Sequence, residues 1–186
     1  MVWNLYLAAI PAVVALLLFR RPAPRNVVWF AGFGVWLVFL PNAPYVLTDV
    51  VHLHQDLVAS PSASHTYAVL ATYAVFFAAG LVSYVVSLEL FRRFLHGAIP
   101  RRLVLPALLV VHALSIVAVY IGRFMRLNSW DVVFAPRAVL DSVVRVPHAS
   151  SLAVFVVMFV VVGFGTFATH AIGEQLWTRL KRITTR

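Results

Sequence analysis

The chain alternates apolar runs with short polar stretches. The runs cover about 2–19, 27–40, 67–91, 103–121 and 150–172. A helix needs about 20 apolar residues to cross the hydrocarbon core of a bilayer. Four runs reach or approach that length, so the pattern predicts an all-α fold: a polytopic transmembrane helix bundle of about five spans, residues 1–186 forming one integral membrane domain. The second run is short, because 14 residues cover only about 21 Å at the helical rise.

That run ends in Leu40-Pro41-Asn42-Ala43-Pro44-Tyr45. The two prolines deprive the carbonyls of Leu37 and Leu40 of helical partners, which predicts a broken second helix. Asn42 is placed to cap a new helix with Pro44 in its first turn. The new helix carries Thr48, Asp49, His52, Gln55 and Asp56. Asp49, His52 and Asp56 follow i, i+3, i+7 spacing and share a face, with Val46, Leu47, Val50, Val51 and Leu53 around the rest. Two readings are open. The break lies at membrane depth against a wet cavity, with Asp49 and His52 at its rim, or a loop and an amphipathic helix lie on the outer surface.

A second polar segment, Gly122-Arg123-Phe124-Met125-Arg126-Leu127-Asn128-Ser129-Trp130-Asp131, follows the fourth run. Asn128 or Ser129 can cap the next helix, and Asp131 suits its first turn. Residues 136–146 predict a short interfacial helix on the outer face. Arg137, Asp141 and Arg145 form a solvated ladder there, and Val139, Leu140, Val143 and Val144 face the membrane. His148 precedes a Ser150 cap and can face the same outer site.

Composition sharpens this picture. The chain is 62% hydrophobic and 11% charged, against about 25% charged in ordinary soluble domains. The net charge of +9 does not indicate nucleic acid, because the basic residues cluster between apolar runs. Eleven of the fifteen lie in three regions: Arg20, Arg21 and Arg25; Arg92, Arg93, Arg101 and Arg102; and Arg179, Lys181, Arg182 and Arg186. The positive-inside rule assigns these to the cytoplasm, with the amino terminus outside and the carboxyl terminus inside. Arg123 and Arg126 then lie on the outer side, where they call for an anionic partner, such as Asp49, Asp56 or Asp131, or an anionic ligand. Snorkelling to the interface is the plainer alternative. The first run has no basic leader and no small-residue cleavage site, so it reads as a retained helix rather than a signal peptide. With no cysteine, disulfides, cysteine-ligated zinc and thiol catalysis are excluded.

Trp3, Tyr45, Tyr67, Tyr120 and Trp130 are expected near the outer interface, and Trp29 and Trp177 near the inner one. Gly32, Gly34, Ala74, Ala78, Gly163 and Gly165 are expected to let helices approach closely. Pro11 is expected to kink the first helix. His112 lies mid-way along the fourth span, where an ionisable group is either functional or a neutral imidazole bonded to a carbonyl. Glu89 and His170 fall near cytoplasmic helix ends.

Leu40-Pro41-Asn42-Ala43-Pro44-Tyr45 with Thr48-Asp49 and His52-Leu53, and Gly122-Arg123-Phe124 with Arg126 and Asn128-Ser129-Trp130-Asp131, resemble the bacterial membrane family catalogued as domain of unknown function 1361. Trp3-Asn4-Leu5 and Ile10-Pro11 are similar to that family's amino-terminal helix. The resemblance covers nearly the whole chain. It implies a multi-pass protein of a bacterial plasma membrane and no particular activity or cofactor.

Three functions compete. In the first, a binding or transport protein holds an anionic small molecule or lipid headgroup through Arg123 and Arg126, with Asn42, Tyr45, Thr48, Asp49, His52, Asn128, Ser129, Trp130 and Asp131 completing the polar wall. In the second, a hydrolase or transferase acting on a lipid-like substrate binds a metal through Asp49, His52 and Asp131, or His148. Asp-x-x-His is a weak motif for that chemistry, and neither His-x-x-x-His nor a Glu-containing zinc motif is present. In the third, the polar cluster locks the outer segments of a structural or assembly subunit. Membrane lipids are the expected partners, an oligomer is compatible with the sequence, and nucleic acid is not expected.

Overall fold

The computed structural model describes residues 2–20, 24–145, 156–157 and 159–164. Among them the regular structure is helical: α1 (Val2–Phe19), α2 (Val27–Phe39), α3 (Asn42–Tyr45), a 3-10 turn (Val46–Asp49), α4 (Val50–Val58), α5 (Ala63–His96), α6 (Arg101–Phe124), α7 (Asp131–Phe134) and α8 (Pro136–Arg145). Four segments of the described chain are long and apolar enough to cross a membrane: Val2–Phe19, Val27–Val58, Ala63–His96 and Arg101–Phe124. This is a multi-pass helical bundle. The fifth expected span lies mostly outside the described residues, of which 156–157 and 159–164 are helical. His148, Ser150, Gly165, His170, Trp177 and the basic tail are outside them too.

Local chemistry starts the helices where the sequence changes character. The Asn26 side chain accepts the Trp29 N–H at 3.0 Å to open α2, and Ser62 Oγ accepts the His65 N–H at 3.3 Å to open α5. Pro11 is buried inside α1, which runs through it. The double proline interrupts the helix as expected: α2 ends at Phe39, a short helix opens at Asn42, and α4 carries His52. The backbone at Leu40, Pro41, Tyr45 and Val46 stays in the right-handed helical region, so the interruption takes the form of a bend and no loop intervenes. Proline's fixed φ suits a helix, while its missing N–H and the clash of its ring with the carbonyl four residues back bend the ladder. The Ala43 N–H turns back to the Leu40 carbonyl at 3.2 Å, and the Asn42 side-chain amide donates to the Phe39 carbonyl at 3.0 Å. Asn42 therefore acts as a donor to a carbonyl and not as an accepting cap. The apparent shortfall in length disappears, since Val27–Val58 is a bent stretch of 32 residues.

α1 packs against α5 and α2, and α3 crosses α5. The crossing is close because Gly80 of α5 faces α3: a Cβ there would stand 2.5 Å from the Ala43 carbonyl oxygen and collide with Val46 Cγ2. The glycine and alanines named from sequence mostly do something else. Gly34 has nothing within 4 Å of an added Cβ, and Ala74 and Ala78 are exposed. Gly32 does meet Leu18, at 3.0 Å, and Gly163 approaches His112 Nε2, at 3.4 Å.

The Arg92 end of the bundle is filled with rings. Phe19, Trp29, Phe33, Trp36, Phe91 and Phe94 pack with centroid separations from 4.8 Å to 6.3 Å. Trp29, in the first turn of α2, is thus a packed residue, 8% exposed. The Arg25 guanidinium lies 5.3 Å over Phe94, and Glu89 bonds both Arg92 and Arg93 at 2.7 Å. Mid-bundle, the Tyr84 hydroxyl lies 2.9 Å from His112 Nδ1, and His112 Nε2 lies 3.3 Å from the Phe159 carbonyl. A neutral imidazole protonated on Nε2 satisfies both contacts, accepting from the phenol and donating to the carbonyl. His112 in this form ties α5, α6 and the last described helical segment together.

Candidate functional site

The opposite end of the bundle is polar and hollow. α6 delivers Arg123 as its last turn ends, and the bend after α2 delivers Asp49 at the end of the 3-10 turn. Arg123 Nη1 lies 3.8 Å from Asp49 Oδ1. The two motifs expected to meet do meet. The Asp49 side chain is 6% exposed and that of Arg123 is 24% exposed, so solvent screens the pair only in part. α1 adds the third member: Asn4 Nδ2 donates to Asp49 Oδ2 at 3.1 Å. Asn4 stood in the sequence as part of the amino-terminal motif, without a role. A lone neutral amide near a helix end has neither charge nor periodicity to mark it.

A second junction lies beside the first. Asn42 Nδ2 donates to Ser129 Oγ at 2.8 Å, joining the bend to the segment after α6. Ser129 accepts there and keeps its own O–H to donate. Gly122 makes room for this fold-back. A Cβ at that position would lie 3.3 Å from the Leu127 carbonyl oxygen and 3.4 Å from the Tyr45 ring. Asn128 does not cap α7 with its side chain. Instead the Asp131 carboxylate accepts the Asn128 N–H at 2.6 Å, as an acid in a helix's first turn does when it reaches back to the preceding backbone.

Arg126 departs from ordinary geometry. Its φ is 58°, the left-handed region, two residues beyond the last residue of α6. Glycine commonly fills this position because it has no Cβ to clash. An arginine held in this conformation costs about 1 kcal/mol or more.

Between α1 and α2 on one side and α6, α7 and α8 on the other lies a cavity of ≈ 630 Å³. Its polar wall carries Asn4, Asn42, His52, Arg123, Arg126, Asn128 and Ser129, with Trp3 and Tyr45 nearby. Seven of the sequence-selected candidates thus line it: Asn42, Tyr45, His52, Arg123, Arg126, Asn128 and Ser129. The other four do not. Asp49 sits behind Arg123. Thr48 Oγ1 donates to the Tyr45 carbonyl at 2.7 Å. Trp130 precedes α7, and Asp131 is engaged with Asn128. Among the described residues no three histidine, cysteine, aspartate or glutamate side chains come together to hold a metal. Asp49, His52 and Asp131 point to separate partners, His52 Nδ1 being 3.3 Å from Gln55 Oε1, which corrects the proposed metal set. Asp56, expected to share the face of Asp49, accepts the Tyr73 hydroxyl at 2.8 Å and anchors α4 to α5.

The chain belongs to the family described as protein of unknown function (DUF1361), which matches residues 3–164. That span contains Asn4, the bend and the Arg123–Asp131 segment. No curated protein and no solved structure matches the chain.

Proposed function

We propose that this member of a family without an assigned activity binds an anionic group of phosphate type in the cavity at the Arg123 end, as a binding or transport protein. One observation supports the reading above all: the cavity wall carries two arginines, several amide and hydroxyl groups, and no carboxylate. At 3.8 Å the Arg123–Asp49 contact is Coulombic and longer than a hydrogen bond, which leaves the guanidinium's donors to a ligand. The left-handed Arg126 agrees with this. Backbone strain persists where a side chain is needed in that place, and glycine in its stead would relax the turn.

The test uses full-chain protein in phosphatidylcholine nanodiscs. The probes are phosphatidylglycerol, followed by native mass spectrometry, and its deacylated head glycerophosphoglycerol, followed by titration calorimetry. At least one binds stoichiometrically. Arg126→Gly weakens that binding at least tenfold while thermal stability holds or rises by up to about 1 kcal/mol. Stoichiometric binding of neither probe removes the reading.

A second reading has its own support. Arg123–Asp49–Asn4 and Asn42–Ser129 also fasten three parts of the chain together, as a purely structural clamp would.

The cavity end faces outward in this proposal, with the amino terminus outside and the carboxyl terminus in the cytoplasm of a bacterial cell. The eleven-to-four division of basic residues supports it. Cysteines introduced at Ser62 and Thr184 should react with an impermeant maleimide from opposite sides of the membrane. Labelling of both from outside intact cells would reverse the assignment.

A further inference from the structure

The cavity has two chemically different halves. Toward the end of the bundle stand the arginines and the amides. Deeper in, the wall is Leu7, Leu37, Val38, Leu114 and Ala118, with Ser115 among them spending its hydroxyl on the Val111 carbonyl. Leu114 precedes Arg123 by nine residues, so it lies about 13 Å further along the axis of α6. That depth is close to half of a hydrocarbon core of about 30 Å, the thickness of one leaflet. Leu114 and Ala118, one turn apart, line the cavity and are nevertheless exposed, Leu114 by 51%. Their exposure shows that the apolar wall is accessible and not sealed within the packed bundle.

We infer that the ligand is a membrane lipid with an anionic phosphate head, held with its head at Arg123 and Arg126 and one chain lying along the apolar wall between α1, α2 and α6. This rests on the anion-binding reading and narrows it. A freely soluble anion uses only the polar half and leaves the apolar half wet, which hydrocarbon-lined walls disfavour. A volume of ≈ 630 Å³ is that of a pocket for one medium-sized molecule. It takes a headgroup and the upper part of a chain, and the accessible wall at Leu114 and Ala118 lets the rest of the lipid remain in the bilayer. The two arginines favour a phosphate diester or monoester over a zwitterionic head, whose own cation offsets the attraction.

Chain-dependent binding distinguishes the lipid from the soluble anion. In phosphatidylcholine nanodiscs, phosphatidylglycerol is retained through native mass spectrometry, and glycerophosphoglycerol binds at least tenfold more weakly than the intact lipid. Ala118→Trp and Leu114→Trp fill the apolar half from exposed positions. Each lowers phosphatidylglycerol retention at least fivefold, leaves the affinity for glycerophosphoglycerol unchanged, and leaves the melting temperature of the protein close to wild type. Equal binding of head and lipid, with both tryptophan variants inert, overturns the lipid assignment and leaves a soluble-anion site. Binding of neither probe to the wild-type protein overturns the anion reading itself.

Discussion

Gly80→Ala destabilises the fold by about 3 kcal/mol or more and sharply reduces the amount of protein in the membrane. An overpacked core typically loses about 1–3 kcal/mol, because neighbouring side chains shift into poorer rotamers. Here the obstacle includes backbone: the added Cβ meets the Ala43 carbonyl oxygen at 2.5 Å as well as Val46 Cγ2. A carbonyl in a bent helix cannot rotate aside, so α3 must move off α5. That movement carries the 3-10 turn and Asp49 away from Arg123. Lipid tails are as apolar as the helix surface, so close packing is the main force holding such a crossing together. Gly34→Ala is the control. Nothing lies within 4 Å of a Cβ there, and its effect stays within about 0.5 kcal/mol. Unfolding in mixed detergent measures both. Equal tolerance of the two alanines would show that the α3–α5 crossing is not as tight as described.

The largest functional effect is expected at Arg123, and a double-mutant cycle with Asp49 separates ligand binding from clamping. Arg123→Gln removes a charge from the ligand and strands a carboxylate that is 6% exposed with Asn4 as its remaining hydrogen-bond partner. Breaking a fully buried ion pair costs about 3–5 kcal/mol. The Arg123 side chain here is 24% exposed, so about 2 kcal/mol is the expected loss of stability. Anion affinity falls at least 100-fold, about 2.7 kcal/mol. Asp49→Asn alone costs about 1 kcal/mol and tightens anion binding several-fold, because it removes a negative charge close to the ligand. The double variant recovers most of the stability and none of the affinity. A pure clamp gives a different pattern: the same cycle in stability, with no anion affinity to change in any of the four proteins.

The sequence carried the spans and the meeting of the two polar motifs, for reasons of charge. Apolar runs long enough for a bilayer have few alternative folds, and charges at its edge need partners. Charge alone therefore sets Arg123 or Arg126 against Asp49, Asp56 or Asp131, and the structure selects Arg123 with Asp49. The interruption at Pro41 and Pro44 is legible because proline's lost hydrogen bond is visible in a sequence; its form as a bend is not, because proline's helix-compatible φ leaves no pattern. Asn4 went unassigned because its importance depends entirely on the residue facing it. Gly80 carries no mark in the sequence that sets it above Gly34: both are glycines in apolar helices, and only the neighbouring helix makes one indispensable. The gathering of Asp49, His52 and Asp131 failed because helical spacing fixes a shared face only while the helix stays regular. The 3-10 turn Val46–Asp49 intervenes just before His52.

The contrast between the two ends of the bundle makes it mechanically uneven. Six interlocked rings fill one end, and ring-packed interiors are nearly incompressible. The other end encloses ≈ 630 Å³ between helices. Hydrostatic pressure acts on volume that atoms do not fill, so compression first shrinks or floods the hollow end and leaves the ring-packed end unchanged. The tryptophans record the two responses separately, with Trp3 on the cavity wall and Trp29 and Trp36 in the ring cluster. A lipid seated in the hollow fills that volume and evens out the stiffness of the bundle from end to end.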